Sequence, residues 1–158
     1  MDIIERAINL FFLGKIRQAE SILNDVMKNK KNDPKAWFLK ALIERKKGDN
    51  NSALNAINKA LELNNEFVEA WILKHYIMRD LKKYEEALRA IDEAIRLTLE
   101  KDDYEDYELL IEKARTLILL GDLKRAKGII FKIRDLNPED SDLEELFYLV
   151  KESERRRN

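Results

Sequence analysis

The 158-residue sequence has no cysteine, one histidine, two prolines and four glycines. Without cysteine there are no disulfides, thiolate nucleophiles or thiolate metal sites. With His75 as the lone histidine, zinc and haem lose their other usual ligand, so no cofactor is expected. An average chain devotes about 12% of its residues to glycine and proline, and their scarcity argues against a turn-rich sandwich or barrel. An all-α chain is what remains. Charge of one sign is missing too, since 30 basic and 31 acidic side chains leave a formal net charge of −1, with no long-range pull toward nucleic acid or membrane. No uncharged stretch approaches the roughly 18 residues of a membrane span. The opening Met1-Asp2-Ile3-Ile4-Glu5-Arg6 carries acids where a signal peptide has a basic start. The expectation is a cytoplasmic protein.

What the chain does have is self-similarity. A period of 34 residues aligns Ala19 with Ala53 and Ala87, Gly14 with Gly48, and Trp37-x-Leu39-Lys40 with Trp71-x-Leu73-Lys74. A further copy, marked by Gly121, Ala126 and Ile130, follows after five extra residues in the acidic stretch near 100 to 106. Four units are predicted as one domain over 1–158: about 1–33, 34–67, 68–106 with the insertion, and 107–140. A capping helix over 141–155 completes it. Each unit reads as two helices, from apolar residues at three- and four-residue spacing. Asp33-Pro34 marks a helix start, and Gly14, Gly48 and Gly121 supply left-handed turns between paired helices. Asp2-x-x-Glu5 and Ser141-x-x-Glu144 have capping-box form. Glu85 with Arg89, and Asp92 with Arg96, stand in the favourable order for ion pairs along a helix.

The unit resembles the tetratricopeptide repeat over about residues 1 to 140. The family pattern Trp-x-x-Leu-Gly-x-x-Tyr, then Ala-x-x-x-Phe, then Pro meets Trp37-x-x-Lys40-Ala41-x-x-Glu44 with Ala53-x-x-x-Ile57. In the next unit it meets Trp71-x-x-Lys74-His75-x-x-Met78 with Ala87-x-x-x-Ile91. The flanking copies are built around Ala7 and Ala19, and around Ala114 and Ala126, the latter followed by Pro138. The usual leucine is replaced by Arg6, Lys40, Lys74 and Lys113. The resemblance implies a right-handed helical-repeat solenoid whose first helices line a concave groove for a peptide or protein and which catalyses nothing. It is stabilised by stacking and needs polar caps at both ends.

The same resemblance places four ladders in that groove: Ile4, Phe38, Ile72, Ile111; Ile8, Leu42, Tyr76, Arg115; Phe11, Arg45, Arg79, Ile118; and Phe12, Lys46, Asp80, Leu119. The first ladder is wholly apolar, and exposed apolar patches mark interaction sites; the competing reading is deeper burial of the first helices. The expected binding residues are Ile4, Ile8, Phe11, Phe38, Leu42, Arg45, Ile72, Tyr76, Arg79, Ile111 and Arg115. The expected partner is an amphipathic segment with some acids, held by apolar area and Arg pairing, with self-association into a homo-oligomer as the alternative. The Lys/Asn/Arg clamp that some family members use for a terminal carboxylate is not expected, because its first places fall on Ile4 and Ile8, or on Phe38 and Leu42.

His75 replaces the small residue of the other units and reads as a local repacking with its ring tipped toward solvent. The acids of residues 100 to 108 read as an extra turn on the first helix of the last unit, favoured at a helix start. Arg155-Arg156-Arg157 and Lys124, Arg125, Lys127 form small basic patches without the alternating aromatics of a base-stacking surface, so RNA binding is the minor alternative. No nucleophile elbow, phosphate loop or His-Asp pair beyond His75 is present, so no enzyme is expected.

Overall fold

The computed structural model describes residues 2–158. Among the described residues it is built of nine helices and no strand: α1 (Ile3–Phe12), α2 (Ile16–Asn29), α3 (Pro34–Lys46), α4 (Asn50–Leu63), α5 (Val68–Asp80), α6 (Tyr84–Asp102), α7 (Tyr107–Leu120), α8 (Leu123–Leu136) and α9 (Asp142–Arg157). The first eight helices follow one another as four pairs, and α9 comes after them. Packing divides the chain into two compact units that meet in sequence at Leu81 and Lys82, between the two helices of the third repeat.

In the first unit α1 packs on α2, α3 on α4, and the first helices α1, α3 and α5 lie side by side. The repeated alanines make this approach possible. Ala7, Ala19, Ala41, Ala53 and Ala60 are wholly buried, with Leu39, Ile43 and Ile57 filling the space between helices. In the second unit α7 packs against α6, α8 and α9. Its core gathers Leu110, Leu117, Ala126, Ile130, Ile133, Leu143, Leu146 and Val150, so the last helix covers the apolar side of α7 and α8.

The turns follow the repeat. Gly14, Gly48 and Gly121 have φ of 77°, 86° and 86°, and Lys82 holds the equivalent place in the third repeat at 59°. Glycine visits this region without a Cβ penalty, whereas lysine does not. Asp33, Asp49, Asp106 and Asp122 cap α3, α4, α7 and α8 through their side chains. The two capping boxes do not form. Asp2 makes no side-chain cap, and Glu5 is held first by Lys35 and only then by the Asp2 backbone amide, while before α9 it is Asp140 rather than Ser141 that accepts from the Asp142 amide, at 2.8 Å.

Three other expectations are corrected. The inserted residues extend α6, the second helix of the third repeat, rather than α7, because α7 is started afresh by the Asp106 cap. Arg96 pairs with Glu93 and Glu100 at 2.8 and 2.7 Å, leaving Asp92 to reach Lys113 at 2.7 Å. His75 is fully buried, its ring edge-on to Tyr76 at 5.2 Å. Its position is where paired helices meet, so whatever stands there is enclosed. The basic patches are partly engaged within the chain, Lys127 with Glu154, Arg125 with Asp122 and Arg155 with Glu152.

Candidate functional site

The parallel first helices of the first unit present one face each to a common groove of about 720 Å³. From α1 come Glu5, Ile8, Asn9 and Phe12, from α3 Lys35, Phe38, Leu42 and Arg45, and from α5 Glu69, Ile72, Leu73 and Tyr76, with Phe67 just before α5. Spacings of three and four put each set on a single helical stripe. Phe38 and Leu73 are buried and form the floor, whereas Ile8, Leu42, Ile72 and Tyr76 are half-exposed and form the walls. The Phe38 and Phe67 rings pack at 5.0 Å between centroids. Phe12 is the most open of the lining aromatics, at 67% exposure.

The groove's charges are largely matched within the fold. Lys35 pairs with Glu5, and that contact holds the Glu5 carboxyl below its usual range and raises the Lys35 ammonium. Arg45 reaches Asp80 at 2.7 Å, and its guanidinium also lies 5.4 Å from the Tyr76 ring centroid. Arg79 lies 6.0 Å from the same ring. Such stacking adds about 0.5–1 kcal/mol at exposed sites.

The structure thus brings together Ile8, Phe38, Leu42, Arg45, Ile72 and Tyr76 from the expected set, with Arg79 beside them. Phe11 stacks edge-on against Phe12 at 5.5 Å and lines an adjoining pocket with Leu42, Arg45 and Asp80. Besides the buried floor residue Phe38, two members of the first ladder are core: Ile4 is fully buried and Ile111 is 4% exposed in the second unit. Both face the inter-helix seam, where burial of large aliphatics is most complete. Arg115 is not a free groove cation, since it binds Glu112, Asp142 and Glu145. The ladders missed Glu5, Asn9, Lys35, Phe67, Glu69 and Leu73. Continuing the stripes one turn toward the helix starts, three residues before Ile8, Phe38 and Ile72, would have found Glu5, Lys35 and Glu69.

Among the described residues no group of His, Asp and Glu is placed to hold a metal ion, and no helix is long and apolar enough to cross a membrane.

The model of the family described as anaphase-promoting complex, cyclosome, subunit 3 matches residues 13–94, just over half of the chain. The chain belongs to this family. It is a tetratricopeptide-repeat chain, as its solved structural neighbours also show. Pseudomonas aeruginosa pilF is 18% identical, with a TM-score of 0.80 over 98% of this chain and 68% of that one. A chain of the APC/C hetero-tetramer Cut9–Hcn1 is 18% identical, with a TM-score of 0.81 over 94% of this chain but 29% of that one. YrrB, described as a tetratricopeptide-repeat protein with an unusual peptide-binding site, is 17% identical, with a TM-score of 0.77 over 98% of this chain and 76% of that one. No curated protein matches the sequence. At these identities the neighbours establish the tetratricopeptide fold, a type that serves protein–protein interaction and scaffolding and is typically non-enzymatic.

Proposed function

We propose that this tetratricopeptide-repeat chain is a protein-interaction module whose first unit holds the apolar side of an amphipathic segment of a partner. The observation that carries this reading is the set of partly exposed side chains Ile8, Leu42, Ile72 and Tyr76 around a groove floored by the buried Phe38 and Leu73. Apolar area supplies the attraction, at roughly 25 cal/mol for each Å² removed from water. Charge supplies little of it, because Lys35 and Arg45 already have carboxylate partners. An acid on the partner has to displace Asp80 to reach Arg45.

Peptides selected from a random display library against the whole chain test this. Binders are expected to lose about tenfold or more in affinity, about 1.4 kcal/mol, on Ile72→Gln, with the helical signal unchanged. Binders indifferent to Ile72→Gln and to Leu42→Gln would place recognition elsewhere. Phe38→Ala is the wrong probe, since truncating this floor residue is expected to cost about 3 kcal/mol of stability. If the groove instead takes a second copy of the chain, light scattering will show a mass that rises with concentration and falls back with Ile72→Gln.

A further inference from the structure

The charges around the groove divide between its two ends. Where α1, α3 and α5 begin, the lining carries Glu5, Lys35 and Glu69. Lys35 and Glu69 hold equivalent places one repeat apart, but Lys35 is engaged by Glu5 from the neighbouring helix. Glu69 is exposed, and among the described residues no ion pair engages it. At the other end, where the groove runs on into the adjoining pocket, stand Arg45, Lys46 and Asp80. Arg45 and Asp80 pair with each other at 2.7 Å, which leaves Lys46 exposed and, among the described residues, without an ion pair.

At each end, then, two of three charges match and one is left over, an acid where the helices start and a base where they finish. The apolar walls Ile8, Leu42, Ile72 and Tyr76 lie between these ends. Along α3 the distance from the Lys35 level to Lys46 is about 16 Å, at 1.5 Å per residue. An acid in a first helical turn is favoured by the helix dipole. That accounts for a carboxylate at the start of α5, but not for its place on the lining stripe with Ile72, Leu73 and Tyr76.

Building on the reading of this groove as the site that holds a partner segment, we propose that the segment is bipolar. Its middle is apolar, a basic side chain at one end meets Glu69, and an acidic side chain at the other end meets Lys46. The segment lies one way round, its basic end over the starts of α1, α3 and α5, because the reverse orientation sets like charges against both Glu69 and Lys46. Exposed ion pairs add little affinity and act on specificity instead. The walls therefore hold the segment, while the two end charges select which segment binds and in which direction. Lys35 and Arg45 do not serve this purpose, since a partner acid has first to displace Glu5 or Asp80.

Peptides selected on the whole chain from a random display library are expected to carry Lys or Arg on one side of their apolar group and Asp or Glu on the other. A selected peptide is resynthesised with its basic residues changed to Glu, and both versions are titrated against the wild type, Glu69→Gln, Glu69→Lys and Ile72→Gln. At low salt the wild type is expected to favour the basic version about fivefold, since the exchange turns an exposed attraction into a repulsion. Glu69→Gln is expected to remove most of that preference and Glu69→Lys to reverse it, with circular dichroism unchanged in both. Lys46→Glu acts likewise on a version whose acids are changed to Lys. A preference that survives Glu69→Lys, while Ile72→Gln still weakens binding, overturns the bipolar partner and leaves the groove reading standing. Affinities indifferent to Ile72→Gln as well overturn both.

Discussion

Arg115 Nη2 lies 2.9 Å from Asp142 Oδ1 and so ties α7 to the helix that closes the second unit. Burial works against the charge on Arg115, but its hydrogen bonds with Glu112 and Glu145 outweigh that penalty and raise its pKa. Replacing it with methionine keeps the apolar stem and deletes the fork. Arg115→Met is expected to destabilise the chain by about 1–2 kcal/mol, as for loss of charged hydrogen bonds at a partly exposed site. The urea midpoint measures it, and no change would mean that α9 is held by its apolar face alone.

That apolar face sets the next expectation. Leu146 is fully buried, and Leu143 and Val150 are nearly so. Removing residues 141–158 uncovers the core side of Leu117, Ile130 and Ile133, and the truncated chain is expected to aggregate at concentrations where the whole chain stays in solution. Light scattering of the two chains decides this, and an equally soluble truncation would deny α9 its capping role.

Lys82 occupies the left-handed turn position that glycine holds in the other repeats, with φ of 59°. Lys82→Gly is expected to stabilise the chain by about 0.5–1 kcal/mol, because the Cβ penalty of about 1–2 kcal/mol exceeds the added freedom of the unfolded glycine. Gly48→Lys should act in the opposite sense. A Cβ at Gly48 meets no atom within 4 Å, so only backbone strain opposes the exchange.

Two helix caps couple stability to acidity. Asp49 lies below its usual pKa because it accepts from the Ser52 amide and then the Ser52 hydroxyl, and Asp122 because it accepts from the Arg125 amide and side chain. A depressed carboxyl contributes stability that is fully present above its unfolded value, about 3.9, and is lost as pH falls through the folded value. Asp49→Asn with Asp122→Asn keeps the capping geometry without the charge. Urea midpoints at pH 7 and pH 3 are expected to show the wild type losing more than this variant on acidification.

Helix pairs, turns and the crowded alanine positions were legible in the sequence, because each depends on residues within one or two turns of the chain. Gly14, Gly48 and Gly121 stand where a left-handed residue is required, and Ala19, Ala53, Ala87 and Ala126 where two helices touch. Half of the groove was legible too, through Ile8, Leu42, Ile72 and Tyr76. The division between floor and wall was not. Phe38 and Ile72 occupy equivalent positions, yet Phe38 meets Phe67 and sinks into the core while Ile72 stays half-exposed.

The amino-acid sequence by itself determined an all-α repeat chain, its 34-residue period and the residue types available to each helix face, since these follow from local conformation and periodicity. Only the tertiary structure decided which charges are already matched. Arg45 to Asp80, Lys35 to Glu5, Lys113 to Asp92 and Arg115 to Asp142 join different helices. A charge looks free along one helix until packing brings the opposite charge from another within hydrogen-bond reach, and that distance is set by the whole arrangement rather than by any one segment.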